Sequence, residues 1–131
     1  MLKQKQIIVI RKDLNMRKGK MVAQGAHASM GAIFKDAEIV RENGKIIQKV
    51  EISENTLSWF SEKFTKICVS CDSELELLEL QKKAEGANLL NFLVKDAGLT
   101  EFGGVPTYTA LAIGPDSSEK IDAITAHLKL L

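Results

Sequence analysis

The chain has 131 residues, of which 45% are hydrophobic and 27% are charged, and its formal net charge is +1. This length suffices for one hydrophobic core and is short for two, so we predict a single domain over residues 1–131. The composition excludes a disordered, collagen-like or disulfide-stabilised protein, and the small net charge alone indicates no nucleic acid partner.

The apolar runs of the sequence are short. The longest, at residues 7–10 and 109–113, fall far below the ~20 residues of a membrane-spanning helix. The N-terminal residues lack the apolar region and small-residue cleavage site of a secretory signal. The sequence therefore predicts no membrane partner and a cytoplasmic location.

The first predicted elements are a strand and a helix. Residues 6–11 form a nearly continuous aliphatic run, which is typical of a strand covered on both faces. A polar loop follows, and then residues 20–34 have the pattern of a helix in which Gln24 and His27 follow Lys20 on one face. The small residues of this helix favour close packing against a sheet.

The middle of the chain contains a turn signal and a short helix. Asn43-Gly44 lies between two aliphatic runs, which predicts a surface hairpin within residues 36–52, with no role that the sequence assigns. Residues 55–63 are predicted to form a helix that buries Leu57 and either Trp59 or Phe60.

The second half alternates strands and helices. A second strand is predicted at residues 66–70, and a helix follows in which Ser73 and Glu76 form a capping box and Gly86 ends the helix. A third strand spans residues 91–95.

After a turn-rich segment, residues 109–113 form the fourth predicted strand, which Gly114-Pro115 ends. An amphipathic helix over residues 118–131 completes the chain.

This order of elements predicts the topology. Two right-handed crossovers make the first three strands parallel, and the fourth, which lacks a crossover helix, runs antiparallel. We therefore predict a three-layer α/β domain, with a four-stranded mixed sheet covered by helices on both faces. In such sheets, ligands bind beyond the carboxyl ends of the parallel strands.

Polar residues from separate segments should meet at that edge. Lys20 and Gln24 lie one helical turn apart and are expected to face Asp96, at the end of the third strand, and Thr109, at the start of the fourth. The nearby N-terminus of the first helix favours a phosphate or a developing oxyanion. A salt bridge that only ties helix to sheet is the alternative for Lys20 and Asp96.

Basic residues are concentrated just before this helix. Arg11, Lys12, Arg17, Lys18 and Lys20 fall within ten positions, together with Asp13. Such a cluster favours a polyanion as partner, although a solvated helix start would have the same composition.

These segments resemble a known family. The run RKDLNMRKGKMVAQGAHA at residues 11–28, KDAGLT at 95–100, TALAIGP at 109–115 and the closing HLKL resemble the peptidyl-tRNA hydrolases of the second, archaeal and eukaryotic type. The resemblance implies an α/β fold and hydrolysis, without metal or other cofactor, of the ester that joins a peptide to tRNA. It also implies tRNA as partner and a possible homodimer.

The resemblance also assigns residues. The residues that the family places at its active site match Lys20, Gln24, Asp96, Thr100 and Thr109, with Asp13 and His27 nearby. Our hypothesis is that Asp96 positions or activates the attacking water, that Lys20 stabilises the charge on the carbonyl oxygen, and that Thr109 orients water or substrate. Whether Asp96 is a general base or only orients water stays open. Together with the basic cluster, the residues predicted to bind substrate are Gln24, Thr100, His27, Asp13, Arg11, Arg17 and Lys18.

The chain departs from the family pattern at the site loop. Leu99 replaces a residue that is often basic, Glu101 replaces a common glutamine, and one extra residue lies between Thr100 and Thr109. These departures bear on RNA affinity more than on the chemistry, and Leu99 and the extra residue leave open, as an alternative, a tRNA- or RNA-binding module without turnover. His27 has its own alternative, a core histidine.

A third hypothesis, a small redox or metal protein, depends on the CxxC motif of Cys68 and Cys71. A thioredoxin-like pair needs an exposed first cysteine at a helix start, whereas Cys68 lies in a strand predicted to be buried. Zinc would need two more ligands, and neither His27 nor His127 has the customary spacing. We predict two buried thiols.

Overall fold

A computed structural model describes residues 3–131, and Met1 and Leu2, which open the segment considered for a secretory signal, lie outside the described residues. The elements in chain order are β1 (Gln4–Arg11), α1 (Lys18–Phe34), β2 (Glu38–Glu42), β3 (Lys45–Lys49), α2 (Glu54–Ser61), β4 (Lys66–Cys71), α3 (Glu74–Gly86), β5 (Asn91–Asp96), β6 (Thr107–Ser117), α4 (Ser118–Thr125) and β7 (Lys129–Leu130). A short 3-10 helix, Lys12–Leu14, follows β1.

The main sheet is mixed and has five strands in the order β5-β6-β1-β4-β7. β4 is parallel to β1, whereas β6 is antiparallel to both β1 and β5, and β7 is antiparallel to β4. β1, β4 and β5 therefore share one direction, but β6 separates β5 from the other two. β2 and β3 form a separate hairpin, as Asn43-Gly44 predicts.

Two predictions about the sheet are wrong. The predicted four strands become five because α4 ends at Thr125 and the chain returns along β4 as β7, where we expect helix to residue 131. Gly114-Pro115 does not end the fourth strand. Its register with β1 shifts between Lys5 and Ile7, and pairing then continues to Ser117. The shift accommodates two residues that regular strand geometry disfavours.

Helices cover both faces of the sheet, as predicted. Alternate residues of β1 point to opposite faces: Ile7 and Val9 pack with buried residues of α3 and α4, such as Leu77 and Ile121. Ile8 and Ile10 belong to the core under α1. Each face thus has its own hydrophobic cluster, and the sheet is the middle layer.

The small residues of α1 bring it close to the sheet. Ala28 and Ala32 are buried against it, and a Cβ on Gly31 would lie 2.3 Å from the ring of Phe92 on β5. This close approach fixes the position of α1 over β5, β6 and β1. In this position α1 does not cover β4, and that part of the sheet face stays exposed.

The caps and buried faces of the other helices match the sequence in part. Ser73 Oγ accepts a hydrogen bond from Glu76 N at 3.1 Å, as the capping box predicts, while the Glu76 carboxylate accepts one from Asp72 N. In α2, Trp59 is buried, but Leu57 is 48% exposed, contrary to prediction. No helix within residues 3–131 combines the length and apolar character needed to cross a membrane.

Candidate active site

The sheet brings three polar segments together at one edge. β1 leads into α1 at this edge, β5 ends there with Asp96, and β6 begins there shortly before Thr109. Lys20 and Gln24 occupy successive turns of α1 on the side that faces β5 and β6. The predicted convergence of Lys20, Gln24, Asp96 and Thr109 is therefore present.

Asp96 is the centre of the network. Lys20 Nζ donates to Asp96 Oδ1 at 2.9 Å and to Thr100 Oγ1 at 2.7 Å, and Gln24 Nε2 donates to the same Asp96 oxygen at 3.4 Å. The other oxygen, Oδ2, accepts from the backbone N–H of Gly98 at 2.9 Å. The carboxylate is thus fixed from three sides.

The orientation of Gln24 is set by Thr109. The Thr109 hydroxyl donates to Gln24 Oε1, so the amide nitrogen of Gln24 faces Asp96. Thr109 is fully buried and Gln24 is 2% exposed. Thr109 therefore reaches the centre of the site only through Gln24.

Hydrogen bonds to the Asp96 carboxylate favour its ionised form. The hydrogen bond from Lys20, and then those from Gly98 and Gln24, hold the pKa of Asp96 below its ordinary value, against the opposing effect of burial. The side chains of Lys20 and Asp96 are 13% and 16% exposed, so solvent reaches both groups but only in part. At neutral pH, Asp96 is a carboxylate, and it faces an ammonium group.

The loop after β5 depends on a glycine. Gly98 has a φ of +82°, and a Cβ there would lie 2.2 Å from the backbone oxygen of Val105. Gly104 N donates to Gly98 O at 2.8 Å, which closes the loop on itself. Only glycine combines this backbone angle with this contact, and its N–H is then directed at Asp96.

The aromatic ring of Phe102 lies next to the Lys20 ammonium group. Its ring centroid lies 5.8 Å from Lys20 Nζ, within the range of a cation–π contact. The ring also packs on the core beneath α1, next to Leu14 and Met21. The contributions of Gly98 and Phe102 are not predicted from the sequence, although the Asp-Ala-Gly turn is a signal for the first of them.

Arg11 is not part of a free basic rim, contrary to prediction. Its side chain is 11% exposed, it forms a two-point ion pair with Asp13 at 2.7 and 3.2 Å, and it donates to Tyr108 O at 3.0 Å. The hydrogen bond to Tyr108 O joins the end of β1 to the start of β6. Asp13 therefore contacts Arg11 and not Lys20.

Of the other predicted binding residues, Thr100 joins the network through Lys20, whereas His27 does not. The buried row of α1 follows Gln24, Ala28 and Ala32 at four-residue spacing, and His27 lies off that row and is exposed. The core-histidine alternative is therefore wrong. Arg17 and Lys18 are exposed at the start of α1, as a basic rim requires.

The two cysteines lie on opposite faces of β4. Cys71 is buried in the core with Val69, whereas Cys68 is exposed in a groove beside Ile8. The prediction of two buried thiols is wrong for Cys68, because α1 leaves the face over β4 uncovered. Residues three apart on a strand point in opposite directions, so these two cannot pair with each other. Within residues 3–131, no three acidic, histidine or cysteine side chains are grouped to hold a metal.

The two thiols should react differently. Burial raises the pKa of the Cys71 thiol to about 11, so it stays protonated and shielded at pH 8, whereas Cys68 is accessible. We expect a maleimide to modify one thiol in the native protein and two after unfolding, and Cys68→Ser to remove the native reaction. Modification of both thiols in the folded protein would contradict these positions.

Comparison with known proteins gives a consistent result over nearly the whole chain. The family model described as peptidyl-tRNA hydrolase PTH2 matches residues 4–131. The peptidyl-tRNA hydrolase of Methanocaldococcus jannaschii is 44% identical over 127 residues, which are 97% of this chain and 99% of that protein. The peptidyl-tRNA hydrolase of Thermococcus onnurineus is 41% identical over the full length of both chains. A probable peptidyl-tRNA hydrolase 2 of Dictyostelium discoideum is 37% identical over 96% of this chain and 54% of its own length.

Proposed function

The chain belongs to the PTH2 family of peptidyl-tRNA hydrolases, and we propose that Lys20 and Asp96 together carry out its hydrolytic step. The enzyme hydrolyses the ester between peptide and tRNA and releases free tRNA. Water adds to the ester carbonyl, the bond to the ribose oxygen breaks, and a proton is transferred to that oxygen. The site must therefore orient a water molecule and stabilise a transient negative charge.

Asp96 is suited to orient the water. An ionised carboxylate has about four acceptor positions, and Lys20, Gln24 and Gly98 use three of them. The position left on Oδ2 can accept a hydrogen bond from water. Because the pKa of Asp96 is lowered, its carboxylate is a weak base at neutral pH, which favours orientation of the water over its full deprotonation.

Lys20 is suited to bind the carbonyl oxygen. Its ammonium group has three N–H donors, and Asp96 and Thr100 accept two of them. The third can donate to the oxygen as negative charge develops there. Partial burial strengthens such an interaction relative to bulk water.

Gln24 and Thr109 support this pair. Thr109, although assigned above to the water or substrate, is fully enclosed, so we propose that it positions the Gln24 amide. Gln24 is itself only 2% exposed, so we propose that its amide acts by holding the Asp96 carboxylate. Thr100 accepts a hydrogen bond from the Lys20 ammonium group and so helps to fix its position.

We propose that Lys12, Arg17 and Lys18 contact the tRNA backbone, because all three are exposed between the end of β1 and the first residue of α1. Replacing all three with alanine should weaken tRNA binding and reduce the slope of log affinity against log salt by up to about 2–3, since each phosphate contact contributes about 0.7–0.9. Titration of labelled tRNA at several salt concentrations measures the slope. An unchanged slope would contradict this assignment, and Lys82→Ala, on α3, serves as the control.

The remaining proposals concern the domain organisation, the location and the oligomeric state of the protein. We propose one hydrolase domain over residues 1–131, supported by a sheet that both hydrophobic clusters share. We propose a cytoplasmic location, because the substrate arises in translation. A homodimer is also proposed, as the resemblance to the family implies.

The assay that tests the proposed function is release of free tRNA from peptidyl-tRNA. The contact between Lys20 and Asp96, whose side chains are both partly exposed to solvent, is the observation that supports it. Turnover by the parent chain is expected. Binding of peptidyl-tRNA without release would instead indicate the RNA-binding module, which the comparisons do not favour.

A further inference from the structure

Glu101 pairs with one cation of the proposed tRNA-binding rim. Its Oε1 lies 3.9 Å from Arg17 Nε, and its Oε2 accepts a hydrogen bond from the Arg17 backbone N–H at 3.4 Å. The Arg17 side chain is 91% exposed, whereas that of Glu101 is only 21% exposed. Arg17 therefore extends into solvent, and the carboxylate is held against the protein.

The position of Glu101 is fixed by its neighbours in the loop. Thr100 accepts a hydrogen bond from Lys20, and Phe102 lies under the same ammonium group and packs on the core. Three consecutive loop residues thus contact the first turn of α1 or the residue before it. The backbone of Glu101 is therefore held between two residues that both contact Lys20.

This placement puts a negative charge among positive ones. Arg17, Lys18 and Lys20 lie within four positions, and no acidic residue belongs to the first turn of α1 itself. A phosphate that approaches Arg17 meets a guanidinium group already paired with a carboxylate, and it is also repelled by that carboxylate. Both effects weaken phosphate binding, and neither acts on the ester carbonyl.

We propose that Glu101 competes with a backbone phosphate of tRNA for Arg17 and thereby limits the affinity of the enzyme for its substrate. The inference rests on the proposed function, because it assumes that Arg17 faces the substrate. Its effect is on binding and not on the chemical step. An enzyme of this kind releases product tRNA more readily, and its affinity for tRNA depends less steeply on salt.

The test compares the parent with Glu101→Gln, which keeps the size of the side chain and a carbonyl acceptor for the Arg17 N–H. Without the charge, KM for peptidyl-tRNA and Kd for deacylated tRNA should fall about three- to tenfold, while kcat should change less than about twofold. The salt slope should steepen by up to about 0.7–0.9, because the contact of Arg17 with a phosphate, which Glu101 weakens in the parent, is then made in full.

Two controls make the result specific. Glu42→Gln removes the same charge from the exposed hairpin and should leave KM and Kd unchanged. In an Arg17→Ala background, Glu101→Gln should no longer tighten binding, because the competition is for Arg17. Equal effects of the two glutamine variants, or persistence of the effect without Arg17, would overturn the proposal.

Other outcomes are also decisive. A purely structural role for Glu101 predicts that Glu101→Gln lowers kcat or the melting temperature, or raises KM, and any of these would contradict competition. If the parent binds tRNA but releases none from peptidyl-tRNA, the proposed function fails. The Kd of deacylated tRNA still decides the role of Glu101 in that case.

Discussion

Replacing Asp96 with asparagine is expected to lower kcat for peptidyl-tRNA hydrolysis about 100- to 10,000-fold, the usual contribution of a group that assists proton transfer from water. The amide keeps the volume of the side chain but loses the charge that attracts Lys20. It also presents an N–H2 group in place of one acceptor oxygen, so the contact with either Lys20 or the Gly98 N–H is lost. Single-turnover release of free tRNA measures the effect.

Binding should be almost unaffected by the same change. The tRNA backbone is expected to contact exposed cations, and Asp96 is not among them. Asp36→Asn makes the same chemical change at an exposed position and should retain the parent rate. A rate for Asp96→Asn within tenfold of the parent would show that Asp96 has no direct part in the reaction.

Replacing Lys20 with glutamine is expected to lower kcat about 100- to 1,000-fold, as the loss of one oxyanion donor does in other esterases and proteases. Glutamine can still donate to Thr100, but it has no charge to stabilise the carbonyl oxygen. The pKa of Asp96 should rise towards its ordinary value, because its largest stabilising contact is removed. NMR titration of the Asp96 carboxyl group reports this rise separately from the rate.

Lys18 offers a matched control for Lys20. It lies at the start of the same helix and is exposed, so Lys18→Gln should raise KM modestly and leave kcat near the parent value. Similar kinetics for the two variants would indicate that Lys20 only attracts tRNA. It would then have no role at the carbonyl oxygen.

The arrangement of the site follows largely from local regularities of the sequence. The spacing of Lys20 and Gln24 places both on one face of α1. The strand predicted at residues 91–95 places Asp96 at a strand end. The topology then brings these elements to one edge. The mixed sheet covered on both faces is predicted correctly in outline for the same reason.

The features that the sequence does not predict depend on what covers each surface. Whether Cys68 is buried depends on how far α1 extends over the sheet. The close contact of Gly31 with Phe92 fixes the position of α1. In the sequence, Arg11 continues a basic cluster. In the structure it pairs with Asp13, and its hydrogen bond to Tyr108 O depends on the register of β6. β7 has only two residues, too few for a periodic pattern.

The most direct test of the central claim, that Lys20 and Asp96 act as one unit in ester hydrolysis, is single-turnover release of free tRNA by the Lys20→Gln, Asp96→Asn double variant. Groups that act together lose their contribution when either is removed, so the double variant should be little slower than the slower single variant. Losses that multiply, or a parent-like rate in either single variant, would contradict the claim.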